Sequence, residues 1–210
     1  MFPIAGPWIN GGVIKSLSNM DSGVQPSGSE TCEDNDGLAV SLACFLSTMD
    51  QQKTKDVANI LTTNSVAEAH LRVQALILEN YLNEVENPVN AAKNSIAAEL
   101  PEIAAEIDAV EKKIAEGNSL NDMVASFGKA CSLPGSFQGA LAAILSKDNY
   151  VSAVRSNITA GGDCVARGVF IGACLGIKHG VEGIPMEWIE KVTNVENVIQ
   201  NCVKVFAASN

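Results

Sequence analysis

The chain has 210 residues, enough for one domain or a small pair with a core of its own. A formal net charge of −10 with no Lys/Arg-rich stretch excludes nucleic acid and anionic membrane as main partners, because displacing their counterions takes clustered cations. Aromatic residues are only 5%, so the core must rest on Ala, Leu, Ile and Val, as it does where helices pack on helices.

Residues 1–35 read as an irregular arm, dominated by Pro, Gly, Ser and Asn and carrying Trp8. From residue 36 onward the chain reads as one α-helical domain. Asp36 is placed to cap a helix through Leu38, Leu42, Phe45 and Leu46. A shorter helix follows over 53–61, and Ser65 with Glu68 matches a capping box opening a helix that buries Val66, Ala69, Val73, Leu76 and Ile77. Pro88 and Pro101 suit first-turn positions, where a missing N–H costs nothing.

The stretch 101–116 is strongly patterned, with Ile103, Ile107, Val110 and Ile114 at steps of three and four and Gly117 able to end it. Ser119, Pro134 and Asp148 open the next three helices. A helix over 161–180 follows, then a short piece around Trp188. A last helix uses Val195, Val198, Ile199, Cys202, Val203 and Phe206. No alternating strand of useful length occurs, so the fold class is all-α, a compact multi-helix bundle of about nine helices.

The six cysteines, Cys32, Cys44, Cys131, Cys164, Cys174 and Cys202, contain no CxxC pair, and the two histidines are far apart. This is neither a zinc pattern nor a compact disulfide framework. They read as reduced core residues of a soluble intracellular protein, cytoplasmic, or organellar if a targeting segment preceded Met1. The most apolar run, 168–177, is too short to span a bilayer, so no membrane insertion is expected.

Within 161–180, Gly168, Gly172 and Gly176 form a stripe at i, i+4, i+8. Interior helical glycine costs ~1 kcal/mol relative to Ala, and close approach of a neighbouring helix is the expected reason for bearing it. Gly161 and Gly162 precede that helix and Asp163 sits at its cap or first turn. Such an end either is closed by the Asp side chain or offers N–H groups to an anion. Arg167 lies one turn on, where its side chain can meet Asp163 and take part of a cation's charge role. His179, by Lys178 and Gly180, reads as part of a helix C-terminal cap.

Gly161, Gly162, Asp163, Gly172, Ala173, Gly176, Gly180, Ile184, Pro185 and Trp188 follow an order and spacing similar to a signature of the ADP-ribosylglycohydrolase superfamily. Upstream, Gly128, Lys129, Ala130, Cys131, Pro134, Ala140, Leu141, Tyr150, Ala153, Val154 and Asn157 resemble the two helices before that signature. The branch it most resembles is that of the J-type crystallins and their selenoprotein relatives, which also carry an Arg four residues after the Asp. The likeness is good over 120–192 and fades before Ser65.

The resemblance implies an α-helical fold. In active members it implies a magnesium pair between two Asp/Thr-rich motifs, and removal of ADP-ribose-like groups. It places a second Asp of the late motif at Val165 and a Thr at Ala166, leaving Asp163 as the late oxygen donor. The early motif corresponds loosely to Glu33, Asp34, Asn35 and Asp36, so Glu33, Asp34, Asp36 and Asp163 are the candidate metal ligands. Gly161, Gly162, Asp163, Arg167 and His70 are the candidate ligand-binding residues. His70 also has the plainer reading of a packing residue.

Three functions follow. The favoured one is a non-catalytic descendant with a degraded magnesium site and no resident cofactor, serving as a structural protein. A related one is a subunit that binds a larger complex through the arm of Pro3, Pro7 and Trp8. Here the partner is another protein or a second copy, with an ADP-ribose-like ligand as a further candidate. The alternative is an active hydrolase, with Mg²⁺ as cofactor if the metal site is retained.

Overall fold

The computed structural model describes residues 9–207, apart from the side chains of Asp36, Ala39, Val205 and Phe206. The expected docking residues Pro3, Pro7 and Trp8 lie outside the described residues. Twelve α-helices and two 3-10 turns account for the regular structure among the described residues, against about nine helices expected. The only strand-like pairings among these residues are two isolated bridges, Ser29 with Thr62 and Asp34 with Ser132.

The expectation of an irregular 1–35 arm is corrected by α1, Gly11–Asp21, which Asn10 caps by accepting from the Gly12 N–H. Its turns are masked in the sequence by Gly and Ser. The helix persists because it docks, with the Ser16 hydroxyl donating to the Ile60 carbonyl. The strip after it runs along residues 59–63, the Gly28 N–H donating to Asn59 O at 2.8 Å and the Thr63 N–H to Ser29 O at 3.1 Å. At Gly28 a Cβ would lie 2.6 Å from Asn59 O, so only glycine permits this approach.

A 3-10 turn, Asn35–Leu38, leads into α2, Ala39–Thr48, and α3, Gln51–Ala58, follows. Helix α4, Ser65–Leu82, is capped by Asn64, whose side-chain oxygen accepts from Val66 and Ala67 N–H. The expected Ser65–Glu68 capping box is therefore one residue late, and Glu68 instead meets Lys55 across the surface. Its buried residues, among them Ala67, Leu71, Ala75 and Leu78, form one broad face offset from the expected stripe, so that Val66 is exposed and Ala69 and Leu76 are only partly buried. Packing against α2, α3, α5 and α10 enforces this.

Helices α5, Pro88–Ile96, and α6, Pro101–Ala115, begin with their prolines at the first helical position. Lys93 of α5 reaches Asp108 and Glu111 of α6 at 2.8 and 2.6 Å. Helix α7, Leu120–Phe127, is capped by Ser119 as expected. Helix α8, Gly135–Ser146, is the axis of the bundle, with every residue from Gly135 to Ile144 buried. Its Gly139, Ala140, Ala142 and Ala143 let α6, α7 and α10 close around it. Helix α9, Tyr150–Ala160, is capped by Asn149 rather than Asp148. Helix α10, Cys164–His179, lies across α4, α8 and α9. The one-turn α11, Met186–Ile189, and α12, Val195–Ala207, are the last elements among the described residues.

Two further expectations need correction. Among the cysteines only Cys32 and Cys174 are buried, while Cys202 is exposed and the others are intermediate. The glycine stripe of α10 does not mark a tight helix contact. A Cβ at Gly168 or Gly172 would meet its nearest neighbour at 3.7 or 3.6 Å, and at Gly176 it would meet nothing within 4 Å.

Candidate functional site

Gly161 and Gly162 both take left-handed backbone, at φ +71° and +68°, and so turn the chain sharply from α9 into α10. A side chain at Gly162 would collide with the Lys129 carbonyl, whose oxygen also accepts the Asp163 N–H at 2.7 Å. Asp163 is the N-cap of α10, its Oδ1 accepting from Ala166 N–H at 3.0 Å. The Cys164 N–H turns back to Gly162 O. Three of the N–H groups at this end are thus engaged within the chain.

Arg167 does not pair with Asp163. It is fully buried, and its Nε donates to Asn157 Oδ1 at 2.8 Å while its Nη atoms reach the carbonyls of Gly161 and Lys129. Burial pulls its guanidinium below the usual arginine value, an effect opposed by Cys164 and Asp163 nearby. The expected i, i+4 ion pair gives way because carbonyls converging from three segments satisfy the fork better than one surface carboxylate. Space for the side chain comes from Gly139 of α8, where a Cβ would lie 2.8 Å from Arg167 Cδ. Asn157 completes the knot, its amide donating to Cys164 O at 2.8 Å. Asn157 stands among the residues of the sequence resemblance, but nothing local marks it as the partner of Arg167.

The early acidic stretch is tied to the same strip of chain. The Asn35 N–H donates to Cys131 O and the Leu133 N–H to Glu33 O, so residues 33–35 run against 131–133 while Gly162 and Asp163 rest on Lys129. Asp34 accepts from Asn10 at 2.8 Å through Oδ2 and from the Cys131 thiol at 3.2 Å through Oδ1, with the Cys32 thiol 3.8 Å away. Glu33 is exposed, and the Asp36 side chain lies outside the described residues. Among the described residues no three His, Cys, Asp or Glu side chains converge as a metal-holding group.

His70 lies elsewhere. It is buried on α4, with Nδ1 donating to Val66 O at 2.8 Å and Nε2 at 2.9 Å from Glu106 Oε2 of α6. Its ring meets Phe137 edge-on at 5.3 Å, and Phe137 meets Phe170 of α10 at 6.1 Å. His70 therefore joins three helices in the core, in line with its plainer reading. His179 stands in the last turn of α10 beside Lys178 and before the Gly180 cap, and its Nε2 is buried without a hydrogen-bond partner among the described residues.

A cavity of about 960 Å³ opens at the opposite end of α10, lined by Tyr81, Val89, Glu111, Ile144, Lys147 and Lys178 among others. Burial, and next to it Cys174, raises the Tyr81 phenol far above its ordinary value. At 1.5 Å per residue Lys178 stands roughly 20 Å from Asp163, so this cavity and the Gly-Gly-Asp turn are separate places.

The profile of the ADP-ribosylglycohydrolase family matches residues 6–210. The chain belongs to the ADP-ribosylglycohydrolase family. It is 27% identical over 201 residues to crystallin J1A of Tripedalia cystophora and 28% identical to crystallin J1B of the same animal. Both alignments cover 94% of this chain but 62% of the relative, so the chain spans less than two thirds of their length. The fold matches that of a solved ADP-ribosylglycohydrolase-related protein complex at TM-score 0.75 and 18% identity, covering 96% of this chain and 70% of that one. The family therefore extends over α1 as well as over the helices in which its signature is legible.

Proposed function

We propose that this family member is non-catalytic and serves as a structural or complex-binding protein, its magnesium site degraded. The observation that carries the reading is Val165. It stands where the family resemblance puts a second late carboxylate, and it is 75% exposed on the first turn of α10. Ala166 beside it also lacks an oxygen donor. Two of the remaining candidate donors are already engaged, Asp163 Oδ1 closing the helix and Asp34 holding Asn10 and a thiol, which leaves exposed Glu33 as the other described carboxylate of the set. Such a set does not fit a pair of hard cations, each of which needs several free oxygens. The relatives named as crystallins support a structural role.

One observation favours the second reading, a Mg²⁺-dependent hydrolase of ADP-ribose-like groups. Both motif regions hang on the strip 129–133, so the acidic stretch and Asp163 belong to one neighbourhood. Calorimetric titration with ADP-ribose, with and without Mg²⁺, separates the two. The non-catalytic reading expects no heat of binding in either condition. Mg²⁺-dependent binding in the micromolar range, followed by turnover, would overturn it.

A further inference from the structure

His70 has a chemistry that its packing does not exhaust. Its ring is 2% exposed on α4, between Glu106 of α6 and Phe137 of α8. Nδ1 lies 2.8 Å from Val66 O, and a carbonyl only accepts, so Nδ1 carries a hydrogen. Nε2 lies 2.9 Å from Glu106 Oε2. With Nδ1 protonated, a neutral ring turns a lone pair toward that oxygen, and an ionised carboxylate turns another back. The distance is that of a hydrogen bond, so one further proton belongs between the two atoms, on the ring or on the carboxyl.

We infer that the His70–Glu106 contact is a proton-operated joint between α4 and α6, closed while it holds that proton and open once the proton is lost. Burial gives the joint its force. A buried acceptor has no water to turn to, so loss of the proton leaves two acceptors facing each other. Because the folded chain holds the proton at this contact, the joint stabilises it on the acid side and ceases to do so as pH rises.

The charged groups on the elements packed against α4 are engaged elsewhere. On α3 Lys53 meets Asp50, Lys55 meets Glu68 and Asp56 meets Gln52. Lys93 of α5 meets Asp108 and Glu111, and Arg72 of α4 itself meets Glu99. On α10 Arg167 is held by Asn157, while Lys178 and His179 stand in the last turn. Helix α8 carries no charged side chain, and α2 has Cys44 as its titratable group. The 3-10 turn meets α4 through Asn35 and Gln74, and the side chain of its Asp36 is outside the described residues. On α6 Glu102, one turn before Glu106, is exposed. Opening the joint frees α6 from α4 but not from α8, since Gln138 Nε2 still donates to Glu106 O at 3.3 Å. The joint is independent of whether the Asp163 end binds a nucleotide.

The test compares wild type with Glu106→Gln from about pH 5 to about pH 9, which brackets the charge change of histidine. A glutamine amide donates to the bare Nε2 of a neutral ring and so closes the joint without the extra proton. On the acid side it is a weaker acceptor than a carboxylate. Thermal melts should therefore place Glu106→Gln about 2–4 °C below wild type at the acid end and above it at the alkaline end. Amide exchange along α6 should be several-fold faster in wild type than in Glu106→Gln at the alkaline end only. The nitrogen NMR signals of the His70 ring should move over the same interval, as the Nε2 proton leaves. A Glu106→Gln deficit that is the same at every pH overturns the proposal. So does a His70 ring whose nitrogens keep one protonation state throughout.

Discussion

Arg167 is the residue on which the Gly-Gly-Asp turn depends. Its guanidinium satisfies Asn157 Oδ1 and two carbonyls in a region closed to water. Arg167→Ala removes that fork and leaves those acceptors and a cavity behind. Chemical denaturation should show a loss of about 2–4 kcal/mol. Arg167→Lys should recover only a small part, because one ammonium cannot span three acceptors. A change within experimental error for Arg167→Ala would mean that the side chain is a passenger. A second contrast lies among the thiols. Burial lifts the Cys174 thiol well above its ordinary value, so little thiolate forms there. In the native protein a maleimide should label Cys202 quickly and Cys174 only after unfolding, as peptide mass mapping would reveal.

At the scale of the element, glycines that look alike in the sequence separate into two kinds. Gly162 adopts φ +68° against the Lys129 carbonyl, so Gly162→Ala adds both backbone strain and a collision and should cost about 2 kcal/mol or more. Gly176 is helical and faces open space, so Gly176→Ala should stabilise the protein by up to about 1 kcal/mol. Thermal melts of the two variants moving in opposite directions would bear this out, and a destabilised Gly176→Ala would revive the close-contact reading of the stripe. Much of the element pattern was legible in the chain. The prolines of α5 and α6, the Ser119 cap and the Asp163 cap are local chemistry, complete within one turn. The caps at Asn64 and Asn149 each fell one residue from the expected position, because neighbouring polar side chains compete and tertiary fit chooses between them.

The whole molecule is held by contacts between elements that no local pattern announces. Lys93 ties α5 to α6, and hydrogen bonds to Asp108 and then Glu111 raise its ammonium above its ordinary value of 10.5. A raised value in the folded state means that this stabilisation is fully present below about pH 10 and fades as pH climbs through the folded value. Lys93→Met should therefore cost about 1 kcal/mol at neutral pH, and its deficit against wild type should shrink in denaturation series run above pH 10. The all-α class, the family signature over 120–192 and a helix opening at Asp163 were determined by the sequence alone, since periodicity, capping and motif spacing are short-range properties. Only the tertiary structure decided that residues 11–21 form a docked helix and that Arg167 turns inward to Asn157. The same holds for His70 as a core link between α4, α6 and α8, and for Glu33 and Asp34 meeting the strip that carries the Gly-Gly-Asp turn. Each of these depends on partners distant in sequence, whose positions are set by how the helices close around α8.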